Sequence, residues 1–425
     1  MSKILFVANN YTALAGMTFL ISELKRKYSV IPTLVCESCF YETEEYEVIN
    51  LTPNFKPSAI QETITSYYNQ KEKRISTQIL KFLISYREMG VIDKKGRGIL
   101  NQTKPDAVVV YCDRMGGIVQ GVIKNAKGIP VIKVSIAVSN KHRDFEIRYY
   151  NEELRVSDKR WDINRLPLLV NRNWGYTHEG ETRLFYPAGY TMAGYLRRMI
   201  SMHPWISGAG FSTHALAASE KQKEEILSVV KKEVITTGLV EDYYILENYA
   251  QRAQIQEQIK KKYGIKSDKI VILSMPQIAE HNMVPWEIHR DNMSFVVEKM
   301  SKIYDKFLIS LHPKSKEDDY LYLNDFGSFS FLQERLRDVI VCADVLVVVS
   351  ISNVVRWADI LGVPKIVLEI DWLKKKFDID IKNQIMSELQ KPLDSKEKFD
   401  LKRNSIKNVP EEIIEIVKNT KLETR

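Results

Sequence analysis

Short runs of Val, Ile and Leu alternate with helix-length segments along most of this chain, and that alternation restricts the fold more than any other feature. In the first half, "KILFVA" from Lys3, "VIPTLVC" from Val30, "DAVVVYC" from Asp106 and "IPVIKVS" from Ile129 read as strands. Helical patterns such as "MTFLISELKRKY" from Met17 lie between them. "THALAAS" from Thr213, the helix "EKQKEEILSVVKK" and "VITTG" continue the series. The second half repeats it with "KIVILS" from Lys269, "FLISLH" from Phe307, "DVLVVVS" from Asp344 and "KIVLEI" from Lys365. Continuous β-branched and Leu runs suit parallel strands buried on both faces. Strand–helix alternation then predicts α/β architecture.

A chain of 425 residues exceeds one ordinary core. The two blocks predict two doubly wound domains: residues 1–238, with an insertion at 139–205, and residues 239–385. A charged helix from about Tyr244 to Lys262 is expected to open the second. The segment 386–425 shows no strand pattern and reads as a helical tail packing back on the first domain. The insertion is rich in Arg, Asn, Tyr and Trp and breaks the alternation, as a functional loop or lid would.

No uncharged apolar run reaches the ~18 residues of a membrane span. The start, "MSKILFVANNYTALAG", reads as a strand and a turn rather than a signal peptide. Four Cys are too few for a disulfide framework, and Cys36 and Cys39 have no second pair with which to bind zinc. A cytoplasmic setting is the expectation. The net charge of +8 favours anionic partners, including nucleotides, phosphates or an anionic membrane at its periphery, although a solvated lysine-rich surface would give the same total. No nucleic-acid-binding module accompanies it.

Candidate chemistry sits where strands end, because open parallel sheets bind ligands outside their carboxyl edge. "DVLVVVSISN" places Ser350, Ser352 and Asn353 at such an end, where a helix begins. Its free N–H groups and hydroxyls suit a phosphate, although the same residues can serve only as an N-cap. "FLISLHPKS" adds His312, Pro313 and Lys314 at the preceding strand end. Ser274 opens a long loop whose His281, His289 and Arg290 are the expected donor or phosphate ligands, unless the loop is merely solvated. Asp113, with Arg114 behind it, ends a first-domain strand and is the expected base, or else a helix cap. Arg172, Trp174, Tyr176 and His178 of the insertion combine flat apolar faces with donors and are the expected acceptor side, unless the aromatics merely pack an inserted subdomain.

Three stretches carry a resemblance. "KPDAVVVYCDRMGGIVQGVIKNAKGIPVIKV", "HALAASEKQKEEILSVVKKEVITTGLVEDYYI" and "ADVLVVVSISNVVRWADILGVPKIVL" resemble the GT-B superfamily, and within it the non-hydrolysing UDP-N-acetylglucosamine 2-epimerases. The resemblance covers most of the chain outside 139–205 and implies two Rossmann-like domains facing a cleft. It departs from the epimerase pattern in three places. Ser350-Ile351-Ser352 stands for their Ser-Gly-Gly and Arg356-Trp357-Ala358 for their Glu-Ala pair, "KVSIAVSN" lacks their His-x-Glu-Ala-Gly, and "MPQIAEHN" replaces their His-Arg-Arg-Glu-Asn. His312-Pro313 with Ser350 and Ser352 is similar to GT-B sialyltransferases, in which such residues contact the nucleotide and its phosphate. These likenesses imply a metal-independent glycosyltransferase, without cofactor, that transfers from a UDP- or CMP-activated sugar to a glycan or glycolipid of the bacterial surface. The alternatives are a sugar-nucleotide 2-epimerase, hydrolysing or non-hydrolysing, and a non-catalytic nucleotide-sugar-binding protein.

Overall fold

The apolar runs of the first half become β1 (Ser2–Ala8), β2 (Val30–Cys36), β3 (Glu47–Asn50), β4 (Ala107–Val110) and β5 (Val131–Lys133). The insertion supplies β6 (Arg155–Val156), β7 (Gly175–His178) and β8 (Glu181–Leu184), and β9 (His214–Ala217) and β10 (Glu233–Thr236) follow. Seven of these strands form one sheet in the order β10-β9-β5-β4-β1-β2-β3, with every neighbouring pair parallel. Ile4–Ala8 and Ala107–Val110 are buried throughout, as strands covered on both faces must be. The chain builds outward from β1 to β3 and then restarts at β4 on the other side. The β1/β4 junction is therefore a topological switch point.

The second half gives β11 (Val271–Ser274), β12 (Phe307–Ser310), β13 (Phe329–Phe331), β14 (Val345–Val349) and β15 (Lys365–Leu368). They form a parallel sheet in the order β13-β12-β11-β14-β15. Its order reverses between β11 and β14, so Ser274 and Ser350 end the two strands that flank the switch.

This is a computed structural model that describes residues 1–51, 75–114, 116–136, 141–149, 151–159, 161–280, 283–312, 315–350, 352–390 and 408–423. One compact unit comprises Met1–Val240 with Lys407–Arg425, and the other Glu241–Ile406. The expected tail is divided between them. Helix Ile379–Gln390 buries Ile381, Ile385 and Leu389 in the core of the second unit. Helix Val409–Glu423 buries Ile413, Ile416 and Val417 beside Leu14, Met17 and Ile21 of helix Tyr11–Lys27 in the first. The expected long helix from Tyr244 is two helices, Val240–Tyr249 and Arg252–Tyr263. The insertion is a folded subdomain with an antiparallel sheet in the order β6-β8-β7 and helices Lys141–Tyr149, Arg165–Val170 and Ala188–Arg197. Helix Ala188–Arg197 packs along the 29-residue helix Ile75–Thr103.

Candidate functional site

Three adjacent strands of the second sheet bring the expected nucleotide residues to one edge. Ser274 closes β11, His312 lies two residues beyond β12, and Ser350 follows β14 directly. Ser352 then caps helix Asn353–Leu361, its hydroxyl oxygen accepting from the Val354 N–H at 3.2 Å. The Ser350 oxygen accepts from the Ile370 N–H at 3.2 Å. Both contacts use the oxygen as acceptor, so each O–H remains a donor. Ser352 is thus a cap, as one reading of the sequence held, and still faces the edge with a hydrogen to give. Arg356, which stands for the epimerases' Glu-Ala pair, donates from Nε and Nη2 to Oδ2 of the buried Asp242 at 2.8 and 2.6 Å, tying its helix to helix Val240–Tyr249. His281, Pro313 and Lys314 lie outside the described residues.

The structure corrects the reading of His289. Its imidazole is 0% exposed in helix Trp286–Ser301, edge-on to Trp286 and Tyr320 at 5.6 and 5.9 Å between ring centroids. Burial pushes its pKa down to about 4, Glu280 opposing and Arg290 assisting. A ring that stays neutral and inside the core is not a phosphate-binding cation. Arg290, on the same helix, is exposed and lies near the Trp286 and Tyr322 rings, at 5.9 and 5.6 Å. Glu280 accepts from the Ser315 and Tyr320 hydroxyls, both at 2.6 Å, and so fastens the loop after β11 to the segment after β12.

Asp113 also differs from its expected role. It is 0% exposed and accepts from the Gly208 and Gly210 N–H groups at 3.1 and 3.0 Å, the Ser212 hydroxyl at 2.6 Å and Lys232 Nζ at 3.4 Å. Burial disfavours its charge, but Lys232, Ser212, Lys133 and the Gly208 N–H outweigh burial and hold its pKa below the usual carboxylate range. A carboxylate so enclosed is a structural counter-ion that organises the 207–212 loop, and neither a base nor a cap for the next helix. Arg114 is buried as well, donating from Nη1 to Asp144 at 2.7 Å and to the Pro204 carbonyl at 2.8 Å, so it anchors the insertion to the end of β4.

Sequence reasoning missed a second cluster at the β1/β4 switch point. Asn9 and Asn10 follow β1, Glu37 follows β2 and Tyr111 follows β4. The Tyr111 hydroxyl bonds to Asn9 and accepts from Asn10 Nδ2 at 3.1 Å. Glu37 accepts from the Ile118 N–H at 2.9 Å and thereby caps helix Ile118–Asn125, whose own N-cap is Gly117. Gly117 has φ +89°, and a Cβ there would stand 2.5 Å from Glu37 Oε2. Burial raises the Glu37 pKa against the Ile118 N–H and Lys95. The signal was present in "LVCESCF", where an acid directly follows a buried strand.

In the insertion, Trp174 is 1% exposed and donates from Nε1 to the Ser201 carbonyl at 2.9 Å, which makes it core rather than an acceptor ligand. Tyr176 and His178 remain accessible beside His142. The Tyr176 hydroxyl lies 3.3 Å from His142 Nδ1, and the two histidine rings are 4.7 Å apart. Arg172 is exposed. Among the described residues no group of three His, Cys, Asp or Glu side chains is arranged to hold a metal ion.

No family model matches the sequence, and no curated protein matches it. Solved structures do. The UDP-GlcNAc 2-epimerase from Neisseria meningitidis bound to UDP-GlcNAc is 16% identical with a TM-score of 0.53, over 98% of this chain and 100% of that one. The UDP-GlcNAc 2-epimerase from Methanocaldococcus jannaschii is 14% identical with a TM-score of 0.51, over 98% and 99%. TcCGT1 in complex with UDP is 11% identical with a TM-score of 0.51, over 99% of each chain. The parallel sheets, their switch points and these likenesses together identify the chain as one of GT-B fold, built from two Rossmann-like domains.

Proposed function

We propose that this protein is a nucleotide-sugar enzyme, a GT-B glycosyltransferase that moves a sugar from a UDP- or CMP-activated donor to a surface glycan or glycolipid. The observation that carries the reading is the edge of the second sheet. Ser274, His312, Ser350 and Ser352 gather on three adjacent strand ends beside a helix N-terminus. Two hydroxyl donors beside the positive end of a helix suit a diphosphate or phosphodiester leaving group, whose developing charge they would stabilise without a metal. UDP-GlcNAc or UDP in the structures of similar fold favours a uridine nucleotide.

Transfer also needs a base for the acceptor hydroxyl. Glu37 fits that role better than Asp113, because its carboxyl is partly accessible and its pKa is raised by burial. Glu37→Gln keeps an acceptor for the Ile118 N–H. It should leave nucleotide affinity intact and lower turnover by at least ~10²-fold. Turnover within threefold of wild type would remove Glu37 from the mechanism.

A 2-epimerase is the second reading because the Neisseria meningitidis and Methanocaldococcus jannaschii structures of similar fold are UDP-GlcNAc 2-epimerases. Mass-spectrometric product analysis with UDP- and CMP-sugars separates the two. Release of nucleotide that requires a glycan acceptor supports transfer. A C2 epimer, or free sugar formed without acceptor, supports the epimerase reading. Nucleotide binding with no product under either condition would leave a binding protein.

A further inference from the structure

The inserted subdomain and its supporting helices carry an apolar face at the surface. Helix Arg165–Val170 has the sequence RLPLLV, and only Pro167 of it is buried. Leu169 is 81% exposed, with Leu166 and Val170 exposed on either side of it. The face continues onto neighbouring elements. Asn171 Nδ2 donates to the Met202 carbonyl at 2.7 Å, which sets exposed Met202 against the end of that helix. The helix packs on Ala188–Arg197, where Leu196 is exposed. Arg197 in turn lies over the Tyr86 ring at 3.8 Å and donates to the Tyr86 carbonyl at 3.0 Å, which joins Leu83 and Tyr86 to the same surface. Scattered exposed leucines need no explanation, but a contiguous group on three helices does.

The charge around it is mostly positive, although Asp158 and Glu88 are exposed on the same elements. Lys159, Arg165, Arg172 and Arg198 are exposed, and none has a carboxylate partner among the described residues. The nearby Asp162 turns its carboxylate to its own loop, accepting from the Ser157 and Asn164 N–H groups.

We propose that this face docks the protein on an anionic lipid bilayer, with the leucines entering the interface and the arginines binding headgroup phosphates. An apolar patch rimmed by unpaired guanidinium groups complements a surface that is anionic outside and apolar beneath. It complements a second copy of itself poorly, because a two-fold contact would set the arginines against one another. Among the described residues no helix is long and apolar enough to cross a membrane, so the contact is with one leaflet. The inference does not depend on the nucleotide-sugar reading.

The test is sedimentation of the full chain with vesicles of phosphatidylcholine alone or with about a third phosphatidylglycerol. Partitioning should favour the anionic vesicles at least about tenfold and weaken severalfold at high salt. Leu166→Glu with Leu169→Glu, and separately Arg165→Glu with Arg198→Glu, should each abolish most of that binding without changing the melting temperature by more than a few degrees. No binding, equal binding to both vesicles, or wild-type binding by either folded double variant overturns the proposal. So does light scattering that shows a dimer dissociated by the leucine substitutions, which would make the face a contact between copies.

Discussion

Asp113→Asn should destabilise the first domain before it affects any reaction. The carboxylate meets two N–H groups, a hydroxyl and Lys232, and an amide can satisfy only part of that set. Leaving Lys232 and Lys133 without a buried anion should cost about 3–5 kcal/mol, read as a lower urea midpoint. Wild-type stability in this variant would refute the counter-ion role. His289 gives a pH signature instead. Its pKa is about 4 in the folded protein and about 6.5 when unfolded. The unfolded chain therefore takes up the proton first as pH falls. Stability contributed by the neutral buried ring is present above pH 6.5 and is lost as pH falls toward 4. His289→Phe removes this titration, so between pH 7 and 4 wild type should lose about 2–3 kcal/mol more than the variant. Parallel losses would mean that the ring is solvated. The sequence placed Ser274, Ser350 and Ser352 at strand ends, because a buried strand followed by a helix fixes that edge. It could not place Asp113 or Trp174, whose partners lie about 100 and 27 residues away in loops without periodicity.

At the scale of elements, helices Ile75–Thr103 and Ile118–Asn125 approach through glycine. A Cβ on Gly96 would stand 2.2 Å from the carbonyl carbon of Gly121, whereas one on Gly98, two residues along, meets nothing within 4 Å. Gly96→Ala should therefore destabilise by about 1–3 kcal/mol, and Gly98→Ala should stabilise by about 0.5–1 kcal/mol. Equal effects in urea denaturation would contradict the close packing. The central strands were legible because Val, Ile and Leu run unbroken through them. The edge strands β3 and β13 were not, being three or four half-exposed residues with no such run. The break between helices Val240–Tyr249 and Arg252–Tyr263 was also hidden, because no Pro or Gly marks it and both helices are charged. The insertion read as irregular because its strands are only two to four residues long and its aromatics do not alternate.

At the scale of the molecule, two doubly wound units were readable from the repeated alternation. The division of the final 40 residues was not, since helix Ile379–Gln390 and helix Val409–Glu423 have similar amphipathic patterns and only packing assigns them to different cores. The central claim is that the carboxyl edge of the second sheet holds a nucleotide. Isothermal titration of UDP and CMP into wild type and into Ser350→Ala with Ser352→Ala tests it directly. Each hydroxyl-to-phosphate bond is worth roughly 1.5–3 kcal/mol, so the double variant should bind at least tenfold more weakly. It also loses the acceptors for the Val354 and Ile370 N–H groups, so it should melt several degrees lower while staying folded at the titration temperature. Binding unchanged within twofold in that folded variant, or no binding of either nucleotide to wild type, would contradict it.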